Sequence, residues 1–431
     1  MRTTLPLLTV ILSLAAAFGG PDPAPPPRPI DARFVPYSPD PDHPWNKLHR
    51  VLFVRQAREG GRRVHTTDPL LYRGGSFLFA GEAHEQALAL LDTFEPIDDP
   101  LKRLVLQRDL WAAFDYAAWE PDEWVLKSKF EPGAVALRNR LAKVIGRLAL
   151  SDRALAALPD NYALAVKSNE YPAAHDPKHP ERPFLPADLF DPAGPWVRFH
   201  ETTAKPMAHR HFDGAGGRAA HVIFLRLPGG RAATEQYLKE LRCEEPFLED
   251  SHRHTVKQFP DGTMVAMVRR GFAVDTAAKL RVTPITELVQ MRVYRRIPKN
   301  PEAHRVGDNG GQDVYEFVLD RAALFAGGHG LRAVGSQEPA EPLFERREGN
   351  DPFERTTPFA PDMPQMKTCI GCHSAPGVYS MLSMTRAFRD NPKGNTELFR
   401  THSWEMEMKY TVHAKVARFD WGLLKGKLEA K

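Results

Sequence analysis

Cysteine is scarce in this chain: its 431 residues include only three, Cys243, Cys369 and Cys372. Three cysteines cannot build the disulfide framework that stabilises many exported domains. Hydrophobic residues make up 42% of the chain and charged residues 26%, which is the usual composition of domains with apolar cores. The isolated Cys243 is therefore interpreted as a buried, unreactive thiol.

Long hydrophobic runs are also missing, apart from one at residues 5–18. This run is shorter than the ~20 residues that cross a bilayer. Arg2 precedes it and small residues follow it, which is typical of a cleaved signal peptide, with an anchoring helix as the alternative. No cysteine lies directly after the run, where a lipid anchor would be attached. We predict a signal peptide at residues 1–20 and a periplasmic or otherwise exported protein without a transmembrane segment in the mature chain.

The chain carries little excess charge, because 58 Lys and Arg residues face 54 Asp and Glu residues. The resulting net charge of +4 gives no indication of nucleic-acid binding. The excess is concentrated at the end of the chain: residues 366–431 contain 11 basic and 6 acidic residues. This segment is therefore predicted to be a basic module on a nearly neutral body.

Recognised catalytic motifs are absent from the first 335 residues. There is no Gly-x-Ser-x-Gly, no His-Glu-x-x-His and no interpretable Ser-His-Asp set. Pro228-Gly229-Gly230 precedes a predicted helix, but it matches neither the dinucleotide-binding pattern nor the phosphate-binding loop. A tight turn from strand to helix is the better interpretation, so this region predicts no catalytic site and resembles no family that we can name.

Local patterns predict helices first and strands later. Asp99 caps a helix that begins at Pro100, another helix follows Pro132, and Ser151 caps a shorter one. Beyond residue 195 the apolar period changes to that of strands, for instance in the alternation at residues 289–293. The 39 prolines argue against a helical bundle throughout.

These patterns predict an α+β fold with several parts. In chain order they are a proline-rich linker at 21–44, a helical region at 45–160, a connecting segment at 161–195, an α+β domain built on an antiparallel sheet at 196–335, a second linker at 336–365 and a small helical module at 366–431. In the last part we expect a C-terminal helix whose apolar stripe contains Met408, Val412, Val416, Phe419 and Leu423.

The strongest motif is Cys369-Ile370-Gly371-Cys372-His373, which has the Cys-x-x-Cys-His spacing of c-type haem attachment. Two thiols at this spacing reach the two vinyl groups of one porphyrin, and the following imidazole ligates the iron. The alternatives are a disulfide, a redox dithiol or a metal site. A disulfide here would close a very small loop, a redox pair would follow a strand, and zinc would need two more ligands.

The segment from about residue 355 to 431 resembles the mono-haem cytochrome c family on the strength of this motif. The resemblance implies that Cys369 and Cys372 form thioethers to one haem c, that His373 is the proximal iron ligand and that a later Met or His is the distal one. Met408 is the first candidate for that distal ligand. The other candidates are Met381, Met384, His402, Met406 and His413.

Histidines also cluster upstream, at positions 200, 209, 211 and 221. Their spacing matches no zinc motif, and His209 and His211 would lie on one face of a strand. Solvated loop histidines are the favoured interpretation, with a metal site or a distal haem ligand from this domain as the alternative. His252-Arg253-His254 is interpreted in the same way.

Two main functions remain open from the sequence, and an envelope scaffold in which the haem only stabilises the C-terminus is a weaker third. The first is an electron carrier whose basic haem module meets a redox partner with an acidic docking surface. The second is an exported haem enzyme or sensor, in which the upstream domains shape an open sixth coordination site. The iron's sixth ligand distinguishes them, and we expect a six-coordinate, low-spin haem.

Overall fold

The computed structural model describes residues 37–56, 63–65, 78–95, 97–118, 131–202, 206–214, 216–243, 256–297, 311–338, 373–382 and 396–430. The predicted signal peptide, most of the predicted linker at 336–365 and both motif cysteines, Cys369 and Cys372, lie outside these residues. None of the described helices is both long and apolar enough to cross a membrane.

The described helices concentrate in the first 170 residues and at the C-terminus. They are α1 Pro44–Phe53, α2 Glu82–Asp92, α3 Pro100–Ala117, α4 Glu131–Leu148, α5 Asp152–Ala156, α6 Asn161–Ser168, α7 His209–Gly214, α8 Gly230–Glu240, α9 Arg321–Phe325, α10 Val378–Leu382, α11 Trp404–Val416 and α12 Phe419–Glu429.

The described strands belong mainly to the middle of the chain. They are β1 Val54–Gln56, β2 Arg63–His65, β3 Val197–Glu201, β4 Ala219–Arg226, β5 Arg242–Cys243, β6 Thr263–Val274, β7 Leu280–Tyr294, β8 Gln312–Leu319, β9 Leu331–Ala333, β10 Thr396–Glu397 and β11 Phe399–Thr401. Seven of them form one antiparallel sheet in the order β11-β3-β4-β6-β7-β8-β9. The predicted α+β fold is confirmed.

The predicted helix starts are where the sequence indicated. The Asp99 carboxylate accepts hydrogen bonds from the backbone N–H groups at the start of α3, and the Ser151 hydroxyl accepts one from Ala154 at the start of α5. The connecting segment is less irregular than expected, because α6 begins directly after Asp160, whose carboxylate caps it.

The seven-stranded sheet separates two apolar cores. Alternate residues along a strand point to opposite faces, and cross-strand partners share a face. Val222, Val268 and Val289 point into a large core filled by the N-terminal helices, α11 and α12. Ile223 and Met267 point the other way, into a small core that contains α10 and part of α8. The segment beginning at His373 therefore lies on the small-core face.

The C-terminal residues do not follow the predicted single stripe. The chain forms two helices that break at Ala417 and Arg418, and Val416 and Phe419 are 46% and 42% exposed. Lys415, by contrast, is fully buried, and its ammonium lies 2.9 Å from Asp115 Oδ2 and 3.0 Å from Asp420 Oδ1. A charge pattern that needs a partner 300 residues away cannot be recognised from local spacing.

Candidate haem-binding site

His373, the last residue of the motif, lies beside the small core, and its ring orientation is fixed by a backbone carbonyl. Its Nδ1 atom is 2.6 Å from the carbonyl oxygen of Ser380, in α10. A carbonyl can only accept, so Nδ1 carries the proton and Nε2 retains its lone pair. Metal-binding histidines usually donate their second ring N–H in this way. His373 is therefore arranged as an Nε2 ligand.

Electrostatics keep this imidazole neutral, as a ligand must be. Burial, and then the positive charge of Arg292, lower the pKa of His373 to about 4. A neutral imidazole at physiological pH needs no deprotonation before it can bind iron.

Side chains of the sheet domain hold the segment that follows His373. The Gln312 amide, at the start of β8, donates to the backbone oxygens of His373 and Ala375 at 3.0 and 3.4 Å. The Gln258 amide oxygen accepts from the Val378 N–H at 2.7 Å, at the start of α10. These bonds tie the segment that begins at His373 to the sheet, although the two are far apart in sequence.

A hydroxyl pair and a glycine complete this attachment. The Tyr294 hydroxyl lies 2.6 Å from Ser380 Oγ. Gly377 has φ +56°, and a Cβ atom on it would lie 2.6 Å from Gln258 Cδ. Only glycine adopts this conformation without strain and leaves room for the amide.

Two upstream histidines reach the same place. The His211 ring, in α7, has its centroid 6.0 Å from that of His373, and the two ring planes differ by 15°. The His221 ring, on the small-core face of β4, is 6.0 Å from His211 on centroids. Burial, and then the neighbouring charges, lower the pKa of His211 to about 4 and that of His221 well below its ordinary value.

Buried cations border the three imidazoles. Arg269, on β6, is the cross-strand partner of His221. Arg292, on β7, donates through Nη1 to Gln312 Oε1 at 3.1 Å, and its Nη2 atom has no hydrogen-bond partner among the described residues. A buried guanidinium with a spare donor suits a carboxylate, and haem carries two as propionates. The residues present therefore fit a haem.

The remaining described sequence candidates lie outside the cluster formed by His211, His221 and His373. Met408 packs in the large core, behind the sheet from His373. Met381 lies in the small core, whereas His413 is exposed and Met406 is 40% exposed. Met384 and His252-Arg253-His254 lie outside the described residues. Cys243 lies in the short strand β5, paired with Thr396.

The upstream histidine cluster divides between the two faces of the sheet. His200, on β3, lies 3.0 Å from Glu407 of α11 and stacks on Tyr410, with His402 close by. His209 begins the short helix α7, so the prediction that it and His211 share a strand was wrong. Within the described ranges, no group of three His, Cys, Asp or Glu side chains is placed to hold a metal ion.

From the sequence, a metal-binding or distal haem-ligand role for His211 was only the less favoured alternative. The signal that could have raised it was its place in a cluster of four histidines in a chain with 17 in all. Comparison with known proteins adds no further guide, since no family model, curated protein or solved structure matches this chain.

Proposed function

We propose that this protein is an exported mono-haem c-type cytochrome that transfers electrons to or from a redox partner. Cys369 and Cys372 would hold haem c covalently and His373 would ligate its iron. The haem supplies a one-electron couple, and the chain's own residues set its ligation, burial and charge environment.

The observation that carries the proposal is the state of His373. It follows two cysteines at haem-attachment spacing, it is neutral, and it turns Nε2 away from the carbonyl that accepts its Nδ1 proton. A redox dithiol or a disulfide loop would also have the two cysteines, but it would not need a neutral histidine with its Nε2 lone pair available. Those two alternatives therefore explain less of the geometry than a haem does.

The acidic docking surface proposed for the partner rests on the positive charge of the C-terminal segment, and ion pairs within the protein neutralise part of that charge. Lys415 is buried between carboxylates, Arg418 lies 3.1 Å from Asp420 Oδ2, and Arg400 lies 3.0 Å from Glu397 Oε2. Fewer free charges reach solvent than the sequence count indicates. Electron exchange with an acidic partner should thus slow only modestly as salt rises.

The electron carrier is tested against a haem enzyme or sensor by the spin state of the holoprotein. The full chain is expressed with its signal and a c-type maturation system, purified, and titrated spectroelectrochemically. We expect a low-spin ferric spectrum, reversible one-electron reduction and slow cyanide or carbon monoxide binding. A high-spin ferric haem that binds these ligands rapidly would refute electron transfer as the function and favour an enzyme or sensor.

A further inference from the structure

We infer that His211 is the second axial ligand of the iron, opposite His373. The inference rests on the proposed haem attachment and adds what the motif alone does not contain. It moves the sixth ligand from the C-terminal segment to the sheet domain, 162 residues upstream of His373.

The spacing of the two rings carries the inference. Metal–imidazole bonds are about 2.0–2.1 Å long and a ring nitrogen lies ~1.1 Å from its ring centre, so two imidazoles on opposite sides of one metal ion have centroids roughly 6.2–6.4 Å apart. The observed separation of His211 and His373 is 6.0 Å. Their planes differ by 15°, an orientation that two rings sharing one metal axis can adopt.

The number of donors indicates which metal group belongs between them. A structural zinc site takes four protein ligands. In the described part of the chain, no three side chains of suitable type converge on a metal position. Haem iron needs only two protein ligands, because the porphyrin supplies the other four. Among the described side chains these two imidazoles meet without a third protein ligand, which is the donor set that an axially ligated haem takes.

The position of His211 is determined by the fold. Helix α7 packs against β4, whose His221 ring lies 6.0 Å from the His211 ring on centroids. Phe212, the next residue, is buried in the large core and anchors the helix. The backbone that carries His211 is therefore held against the sheet.

The competing ligands that lie within the described residues lack this placement. Met408 lies in the large core, and His413 and Met406 face solvent. His402 is paired with His200 and Tyr410 on the other face of the sheet. Met381 shares the small core, but its neighbour Ser380 already directs a backbone carbonyl to His373 from the same helix.

Ligation by His211 would explain the large upstream region. The sheet domain would close the iron's sixth site, which favours electron transfer over small-ligand chemistry. A second imidazole in place of a thioether also lowers the reduction potential, since methionine sulfur stabilises ferrous iron.

The experiment compares His211→Met, His211→Ala and wild type as full-length holoproteins. We expect wild type to lack the far-red charge-transfer band of methionine-ligated ferric haem. His211→Met should gain that band and have a higher potential. His211→Ala should become high-spin, bind carbon monoxide rapidly when reduced, and return to low spin on addition of imidazole. His413→Ala and Met408→Leu, the matched controls, should keep the wild-type spectrum.

A denaturing gel stained for haem distinguishes a failure of His211 ligation from a failure of haem attachment. If His211→Ala carries covalent haem and keeps the wild-type low-spin spectrum, His211 is not the ligand, but the proposed cytochrome function is unaffected. A methionine band in wild type does the same, even if the His211 variants fail to fold. No covalent haem in wild type overturns both.

Discussion

Gly377 is the residue at which the attachment of the segment beginning at His373 to the sheet can be tested most quantitatively. An alanine there must adopt φ +56°, which costs roughly 1–2 kcal/mol for a residue with a side chain. Its Cβ would also displace the Gln258 amide, whose oxygen accepts from Val378 N at 2.7 Å and Phe259 N at 2.8 Å. Losing two such bonds costs about 1–3 kcal/mol. Gly377→Ala should therefore lower the free energy of unfolding by about 2–5 kcal/mol.

A double-mutant cycle with Gln258→Ala separates the two contributions. Without the amide, Gly377→Ala should cost only the backbone strain, about 1–2 kcal/mol, so the two changes should couple by about 1–3 kcal/mol. Urea unfolding of the full chain, followed by far-ultraviolet circular dichroism, measures each variant.

The matched control is Gly422→Ala in helix α12. A Cβ there meets nothing within 4 Å, so alanine should stabilise the helix by up to about 1 kcal/mol. A Gly377→Ala protein as stable as wild type, or an additive cycle, would show that Gln258 does not hold the segment beginning at His373 as described.

Three further substitutions test the charges and hydrogen bonds around the cores. Asp109, which accepts from both terminal nitrogens of Arg321, has its pKa lowered to about 2 by Arg321 and His49 against the cost of burial. Asp109→Asn should lower the free energy of unfolding by about 2.5 kcal/mol at pH 7. Urea unfolding should show this difference from wild type shrinking as the pH falls from about 4 to about 2, because a carboxyl group with a lowered pKa stabilises the fold only while it is ionised. Lys415→Met removes the buried cation that Asp115 and Asp420 share, although Arg218 still pairs with Asp115 and Arg418 with Asp420, and it should cost about 3–5 kcal/mol. Exposed Lys409→Met should change stability by less than about 0.5 kcal/mol. Gln312→Leu removes its bonds to the His373 segment, so unfolding should become easier by about 1–3 kcal/mol; equal urea midpoints for it and wild type would contradict the geometry.

The sequence was sufficient for the elements whose signals are local. Asp99 and Ser151 indicate helix starts because their side chains accept hydrogen bonds from backbone N–H groups two or three residues further along the chain. The alternation at residues 289–293 correctly predicted part of β7. One face of that strand packs in the large core and the other in the small core.

What could not be predicted depends on contacts between distant parts of the chain. Helix α7 has only six residues, too few to display a helical period, so His209 and His211 were assigned to a strand. The approach of His211 to His373 follows from β4 and α10 sharing one sheet face, and no local pattern contains that information.

The attachment of haem is the central claim, and mass spectrometry of the full-length protein tests it most directly. After expression with a c-type maturation system, the denatured chain should carry the added mass of one haem. The Cys369→Ala/Cys372→Ala variant should lack it, with Cys243→Ala, a cysteine outside the motif, retaining it. An unmodified wild-type mass under conditions that mature a known c-type cytochrome would contradict the account.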